Sequence, residues 1–491
     1  PVWGDLEVVR YVMPHTFSTT GQLTDEGQRL ELVSLPITTD PDLGELLVEL
    51  HPSLVSIMVE SLEALEAVPY DDNVTKLSRF LANLESYLAL KDLGIDIPGL
   101  ESDLEALVKE GLRQLLAAQN FDGGWTWRKR LNYDESPSDP FITAYVLIGL
   151  QKADEAGFNF GEYSIDRGVE SLFNQLSSPD QLESAWQLDQ LAFEVYALHK
   201  RDIYLETYFD GLYARRSELN PWALALLSLS LEEIEGRTSR VTTLLSDLES
   251  RAVRSATGVN WESEGETSFL PGTPIFNTAA ALYTLSQLDP ASASVPLALQ
   301  FLVKQRGAKD LWMSTFDSAW SVMAITSALQ GTGDYQAEFE FSLGLNEMQI
   351  AEGTALGTQA PTGTTATVPL QSLYPNAPNA LVIERGEGMG TLYYRADLNT
   401  YQAAATAKAI DRGIHLQRDY YVAGEGCPAA EDCRPIDSIK LNPEDPSQMI
   451  TVAITAIVPH DMYHFILEDF TPAGTEILNE EFLTSQTLIE S

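Results

Sequence analysis

The spacing of apolar residues changes twice along this chain, and each change limits what the segment can become. Within residues 1–50, Arg29 to Leu35 and Glu45 to Leu50 carry apolar residues at strand spacing, separated by Pro36 and Pro41. His51-Pro52-Ser53 breaks that pattern, and Ser53 suits a helix N-cap. From Leu54 to about Gln330 the period is helical, as in the stripe Leu104, Leu107, Gly111, Leu112, Leu115 and Leu116. Twelve helices are predicted, near 54–67, 75–93, 101–119, 140–157, 164–177, 181–199, 202–217, 219–232, 237–256, 274–288, 292–306 and 316–330. No helix pair buries its apolar face alone, so twelve helices in pairs would close a ring of six hairpins. After Gly331-Thr332-Gly333-Asp334 the strand period returns: Ala337, Phe339, Phe341, Leu343 and Leu345 alternate with polar neighbours. Further strands are predicted near Thr365–Val368, Ala380–Arg385 and Thr391–Leu398. The simplest arrangement is one β-domain built from 1–50 and 334–402, with the helical domain 51–333 inserted between its strands. Residues 403–491 make a further β-region, with strands at Gly413–Val422, Met449–Ile457 and Tyr463–Asp469. That is thin for a complete sandwich, so the last domain reads as cut short at Ser491.

Within the helical region the chain resembles itself. Gln119-Asn120-Phe121-Asp122-Gly123-Gly124-Trp125-Thr126-Trp127 precedes, across a polar loop, the apolar run Phe141 to Leu150. A helix ends before Asn120, because Asp-Gly-Gly cannot continue it cheaply. Another begins near Asp139-Pro140, where Asp can cap and Pro fits the first helical position. Trp125 and Trp127 therefore sit on a loop and must find a pocket to fill. Weaker copies place Trp261 ahead of Asn277 to Leu282, and Gln305 with Trp312 ahead of Asp317 to Val322. Trp125, Trp127, Trp261 and Trp312 are read as structural anchors that staple helix ends together. Self-similarity of this kind marks stacked helix pairs.

The 30 basic and 72 acidic residues leave a formal charge of −42, which argues against nucleic acid and anionic membrane surfaces as partners. No run of 18 apolar residues is present, so no helical membrane insertion is expected within these 491 residues. The chain starts at Pro1 without Met and reads as a piece of something longer, so the lack of a leader carries no information about secretion.

Several motifs carry possible chemistry. Gln119-x-x-x-Gly123-x-Trp125 resembles a helix-end motif of triterpene cyclases, which are also paired-helix barrels. The acidic Asp-x-Asp-Asp cluster those enzymes use is missing here, and the helical region has no Cys for the zinc site of protein prenyltransferases. His460-x-x-x-His464 has a metal-ligand spacing only on a helix, and the segment reads as a strand. Asn73-Val74-Thr75 fits a glycosylation sequon. Asp71-Asp72 and Asp134-Glu135 are acidic pairs of the sort that can do acid–base work, although most such pairs are solvated loop carboxylates. No metal, cofactor or catalytic residue is assigned. Cys427 and Cys433, the only cysteines, flank a short polar loop; a local disulfide suits them better than a metal, and it implies an oxidising compartment.

The order of these elements, together with particular residues, resembles the C-terminal half of the alpha-2-macroglobulin family, bacterial members above all. Leu50-His51-Pro52-Ser53-Leu54 is similar to the lead-in of the family's thioester domain. Val68-Pro69-Tyr70 and Leu77-Ser78-Arg79-Phe80-Leu81 resemble the flanks of its thioester segment. The stretches 119–127 and 139–147 resemble its internal helix pairs, and Glu468-Asp469-Phe470-Thr471-Pro472-Ala473-Gly474-Thr475-Glu476 resembles the signature of its final sandwich. The resemblance implies a multidomain α + β chain: an α/α toroid of about six helix pairs inserted in a CUB-like β-domain, followed by a macroglobulin-like, receptor-binding-like β-sandwich. In family members with a thioester, Pro-Tyr is followed by Gly-Cys-x-Glu-Gln-Thr. Here the chain reads Pro69-Tyr70-Asp71-Asp72-Asn73-Val74-Thr75-Lys76, which puts Asp72 at the Cys position and Thr75 at the Gln position. Neither can form a thioester. The resemblance therefore implies an extracytoplasmic, broad-spectrum protease inhibitor that meets proteases through the full-length protein and traps them non-covalently. Two other readings stay open: a cell-surface binding module, and an enzyme with its site in the mouth of the ring.

Overall fold

The computed structural model describes residues 12–128, 137–255, 258–263, 272–307, 309–332, 335–357, 363–403, 414–422, 433–438 and 449–458, except 38, 96, 98, 202 and 204, together with 467, 469, 471, 475 and 477. The chain divides into two compact units, Pro1–Ala407 and Lys408–Ser491.

The first unit opens with β1 (Val12–Leu23), β2 (Gly27–Val33) and β3 (Gly44–His51). The helices follow: α1 (Leu54–Glu66), α2 (Asn73–Leu93), α3 (Leu100–Ala117), α4 (Pro140–Glu155), α5 (Tyr163–Phe173), α6 (Ala185–His199), α7 (Glu206–Ala214), α8 (Pro221–Glu235) and α9 (Ser239–Ser250). A small hairpin, β4 (Val253–Ser255) and β5 (Gly258–Asn260), precedes α10 (Pro274–Leu288), α11 (Ser294–Gln305) and α12 (Thr315–Thr332). Strands then return: β6 (Ala337–Leu345), β7 (Met348–Gly357), β8 (Thr364–Pro369), β9 (Asn379–Arg385) and β10 (Leu392–Ala403).

Strands from before and after the helices share sheets. One sheet runs β1-β10-β3-β8 and the other β2-β9-β6-β7, with every pairing antiparallel. Their apolar faces make one core, in which Leu46, Val48 and Leu50 from β3 meet Phe339, Leu343, Leu381 and Ile383. The alternation read in β6 is that core's signature: Ala337, Phe339, Phe341, Leu343 and Leu345 are buried, and the intervening residues are not.

The helices form a second core. α2, α4, α6, α8, α10 and α12 each pack on the next, and α12 packs back on α2. α1, α3, α5, α7, α9 and α11 pack against this circle from outside. Burial separates the two sets. α8 is buried at every position from Pro221 to Leu231, and α10 at every position from Ile275 to Leu285. Outer helices bury one stripe: Leu104, Val108, Leu112 and Leu115 in α3, and Val241, Leu244, Leu245 and Leu248 in α9. A helix apolar on all sides must be surrounded by protein, whereas a single stripe needs only one neighbour.

Some elements depart from the sequence reading. The helix read at 237–256 stops at Ser250, because Val253–Ser255 pairs with Gly258–Asn260 as a hairpin. Gly258, at φ 126°, makes that turn, and a Cβ there would lie 2.4 Å from the Leu297 carbonyl oxygen. The helix read at 202–217 shortens to Glu206–Ala214. β1 and β7 were not singled out in the sequence; each lies at a sheet edge.

In the second unit, β11 (His415–Val422) pairs antiparallel with β12 (Ile450–Ile457). The Ile436 N–H donates to the Tyr420 carbonyl, and Arg418 pairs with Asp469 at 3.2 Å. The strand expected at Tyr463–Asp469 falls almost wholly outside the described residues, as do His460, His464 and most of the Glu468–Glu476 stretch.

Candidate functional site at the start of the second helix

Asp72 is the N-cap of α2. Its carboxylate accepts from the Thr75 backbone N–H at 2.9 Å and from the Thr75 hydroxyl at 2.8 Å. The two positions singled out in the sequence are thus in direct contact, both buried. This is the ordinary geometry of an Asp cap, reinforced by a hydroxyl one turn on. The Thr75 hydroxyl also lies 3.5 Å from that of Thr315, the first residue of α12.

The next residue fixes the loop that carries the paired tryptophans. The Asn73 N–H donates to the Trp127 carbonyl and Asn73 Nδ2 donates to the Thr126 carbonyl, each at 2.7 Å. Asn73 is 1% exposed. Its amide nitrogen is therefore spent on the fold, and the sequon Asn73-Val74-Thr75 is closed to glycosylation in the folded protein. Arg79 completes the frame: it donates to the Leu65 and Val68 carbonyls and so caps the end of α1. Of the two acidic pairs noted in the sequence, Asp71 reaches out to Lys76 at 2.9 Å, and Asp134-Glu135 lies outside the described residues.

The tryptophan loops share one geometry. The indole N–H of Trp125 donates to the Leu115 carbonyl in the last turn of α3, and its backbone N–H donates to the Thr143 hydroxyl in α4. Trp261 repeats this with Leu248 in α9 and Thr278 in α10. Trp312 does so with Leu302 in α11 and Ser318 in α12. Each Trp ties the end of an outer helix to the start of the following inner one, adding an indole donor to a carbonyl in that helix's last turn. Trp125 and Trp261 are fully buried, Trp312 nearly so, and Trp127 is half-buried against the same core. Around Trp125, Gln119 Nε2 donates to the Gly123 and Ser164 carbonyls at 2.8 and 2.7 Å. Gly123, at φ 93°, leaves no room for a Cβ, which would meet the Arg167 carbonyl oxygen at 2.5 Å.

The interior of the circle near these helix starts is filled by rings. Phe141 stacks on Phe193 at 4.7 Å, and Phe316 meets Tyr145 at 4.9 Å and Phe276 at 4.8 Å. Trp222 and Trp320 pack on Phe276 at 5.2 and 5.3 Å. These rings were not picked out in the sequence, though a signal was there: Pro140-Phe141, Pro221-Trp222 and Pro274-Ile275-Phe276 each place an aromatic just after a helix-starting proline.

Two carboxylates at this level bond the start of a neighbouring helix, and a third bonds within its own. Asp189 of α6 accepts from the Asn220 N–H and Nδ2 at 2.7 and 2.6 Å, and burial pushes its carboxyl up to about 7. Asp317 of α12 accepts from Thr273 at 2.5 Å and Ser314 at 2.7 Å, and burial raises it too. Glu194 accepts from Gln190 at 2.7 Å and is pushed up by burial to about 8. Among the described residues no group of three or more His, Cys, Asp or Glu is placed to hold a metal ion.

A buried charge network joins the helices to the sandwich. His51 Nδ1 lies 3.3 Å from Glu60 of α1, Glu60 pairs with Arg306 at 2.8 Å, and Arg306 pairs with Asp310 at 2.9 Å. Arg395 of β10 pairs with its neighbour Asp397 at 2.6 Å and reaches across to Asp310 and the Gly307 carbonyl. Burial raises the carboxyls of Glu49 and Asp310, and so does a neighbouring negative charge, that of Asp310 on Glu49 and that of Glu60 on Asp310. Cys433, in the second unit, takes part in a disulfide; Cys427 lies outside the described residues.

No protein-family profile matches the chain. Over 120 residues, 24% of this chain and 7% of the relative, it is 32% identical to an alpha-2-macroglobulin of Thermotoga maritima. Its fold is similar to the crystal structure of native Escherichia coli alpha-2-macroglobulin from domain MG7 to the C-terminus, at TM-score 0.57 and 17% identity, covering 84% of this chain and 61% of that one. It is equally similar to the crystal structure of Salmonella alpha-2-macroglobulin reacted with methylamine, at TM-score 0.57 and 17% identity, covering 84% of this chain and 25% of that one. The chain thus spans less than two thirds of each of these proteins.

Proposed function

Because the chain belongs to the alpha-2-macroglobulin family, we propose that it is the C-terminal portion of a protease inhibitor that traps its targets without a covalent hook. The observation that carries this is the Asp72–Thr75 pair. By the resemblance of the flanking sequence it takes the positions of the family's thioester Cys and Gln, and its two side chains are hydrogen-bonded to each other at the start of α2. A thioester needs an acyl carbon bonded to a sulfur leaving group. A hydroxyl contributes no acyl carbon, and a carboxylate held as a helix cap is not an activated acyl group. What remains is the frame: the cap, the Trp loop locked by Asn73, and the ring-filled interior behind it.

In this reading the helical domain is an α/α toroid set in a CUB-like β-domain, and the last residues belong to a macroglobulin-like sandwich. The toroid serves as a wall of the trap. Proteases are met through the full-length protein, outside the cytoplasm, and no cofactor is required. The carboxylates at the helix starts support a non-enzymatic reading, since Asp189 and Asp317 bond the caps of neighbouring helices instead of converging on a cleft.

Two measurements test this. Labelled methylamine should not be incorporated into the chain; stoichiometric incorporation would show an acyl donor and end the thioester-less reading. The full-length polypeptide, mixed with a protease, should suppress cleavage of a large protein substrate and spare that of a small peptide, with no adduct surviving denaturing electrophoresis. Undiminished cleavage of the large substrate would end the inhibitor reading.

A further inference from the structure

The outermost strands of the two sandwich sheets are not equally guarded against pairing with another chain. β1 carries Pro14, β8 ends in Pro369, and the pairing of β7 with β6 shifts register between Leu343 and Gly344. Prolines and bulges of this kind blunt an edge. β2 has neither. It pairs with β9 residue for residue from Gly27 to Val33, and among the described residues no strand pairs with its other side. A groove of about 530 Å³ opens beside it, between Arg29, Leu30 and Glu31 and the residues Gln300 and Lys304 of α11. Leu30 and Leu32 are 56% and 64% exposed, opposite Val382 and Ala380 of β9, which are half-buried. Leucines exposed on an unguarded edge make it a template for another strand. Arg29 and Glu31 alternate with them and so lie on the opposite face of β2, where Glu31 accepts from the Tyr394 hydroxyl at 2.6 Å. Among the described residues neither Arg29 nor Glu31 has an ion pair within 4.0 Å.

The geometry points to β2 as the joint of a two-fold dimer, in which it pairs antiparallel with β2 of a second copy of this chain, Leu30 opposite Leu30. The sequence of the strand is self-complementary about that residue. With Leu30 at the axis, Arg29 of each copy stands opposite Glu31 of the other, so both charged pairs are of opposite sign. Centring the axis on Arg29 or on Glu31 instead would set like charges directly opposite, which is unfavourable. The two charges that would repel a strand in those registers thus become partners in this one, and they fix it. A two-fold axis perpendicular to the sheet keeps the outer faces on one side. Leu30 and Leu32 of the two copies then meet across the joint, extending the apolar strip begun by Val382 and Ala380. The pairing also satisfies the N–H and C=O groups that an edge strand turns away from its own sheet.

The test is sedimentation of the chain as it stands over a range of concentrations. A joint of one strand pair is small, so the mass should rise from one chain to two with a dissociation constant of about 10–100 µM. Arg29→Glu and Glu31→Arg should each weaken association by about tenfold or more, since each sets like charges opposite. Mixing the two variants should restore it, because one copy then carries only acidic and the other only basic residues at the charged positions. Leu30→Cys should form a covalent dimer under mild oxidation. Leu32→Cys should not, because Leu32 stands opposite Gln28 in this register. Near-ultraviolet circular dichroism checks that each variant folds, and should Glu31→Arg fail to fold, the two cysteine variants decide alone. The proposal is overturned by a single-chain mass at every concentration or by a dimer that survives Arg29→Glu. It is equally overturned by a mixture that associates no better than its parts, or by equal crosslinking from both cysteine variants.

Discussion

Trp125 shows how much one side chain can carry when it closes a repeat. It fills a pocket and donates an indole N–H to the last turn of α3, so Trp125→Ala removes packing and leaves the Leu115 carbonyl without that donor. The variant should lose about 3–5 kcal/mol in chemical denaturation, the usual range for deleting a core aromatic; a loss under about 1 kcal/mol would mean the anchor is dispensable. Glu194 tests the opposite kind of burial. Its folded carboxyl titrates near 8 against an ordinary 4.5, because burial, and then the charge of Asp139, disfavour the ionised form. Folding therefore favours the proton: this group's contribution is intact below the ordinary value and is lost as pH rises through about 8. Glu194→Gln, uncharged throughout, should raise the denaturation midpoint at about pH 9 and change it little at about pH 5; equal effects at both pH values would refute the assignment. The Trp anchors were legible in the sequence because bulky rings on a Gly-rich loop must be buried somewhere. The Asp72–Thr75 contact was legible only as a pair of positions. That the pair is a helix cap follows from where α2 starts, two residues earlier than its apolar period indicates.

At the scale of elements, legibility followed burial. All twelve helices read from the period have counterparts among the described residues, because each buries a stripe or more. The strands that escaped, β1 and β7, are sheet edges, although β2 and β8, which are edges too, showed a readable spacing. An edge strand pairs on one side only and needs no strict alternation; β1 even accommodates Pro14, which an inner strand would exclude. The β4–β5 hairpin escaped because three-residue strands are too short to show a period. One element stays a proposal: the loop closed by Cys427 and Cys433. Thiol titration of the denatured, unreduced protein should find no free cysteine, and reduction should shift stability only modestly, since the closed loop is short. Two titratable thiols in protein made under oxidising conditions would reject the pairing.

For the first unit as a whole, what matters is that two cores are closed separately along an interrupted chain. The helical core draws one described strand residue, Tyr393, from the sandwich; the sandwich core draws none from the helices. Their junction is charged, and most of its pairs are internal to one side. Glu60, Arg306 and Asp310 pair within the helical part, and Arg395 with Asp397 within the sandwich. Parting the two sides would thus leave most buried charges with a partner and open to water, which avoids the penalty of stranding an unpaired ion. The sandwich has no such independence, because β3 lies between β10 and β8, and β2 pairs with β9. Residues 51–333 made alone should therefore melt cooperatively by far-ultraviolet circular dichroism and keep a buried-tryptophan emission. Residues 334–402 made alone should stay unfolded until residues 1–50 are supplied. A helical body that stands alone can move as one rigid piece, which is the property a trap wall requires. Residues 51–333 that melted without cooperativity would show instead that the sandwich is part of the helical fold, and the helical body could not move separately from it as the proposed trap wall would.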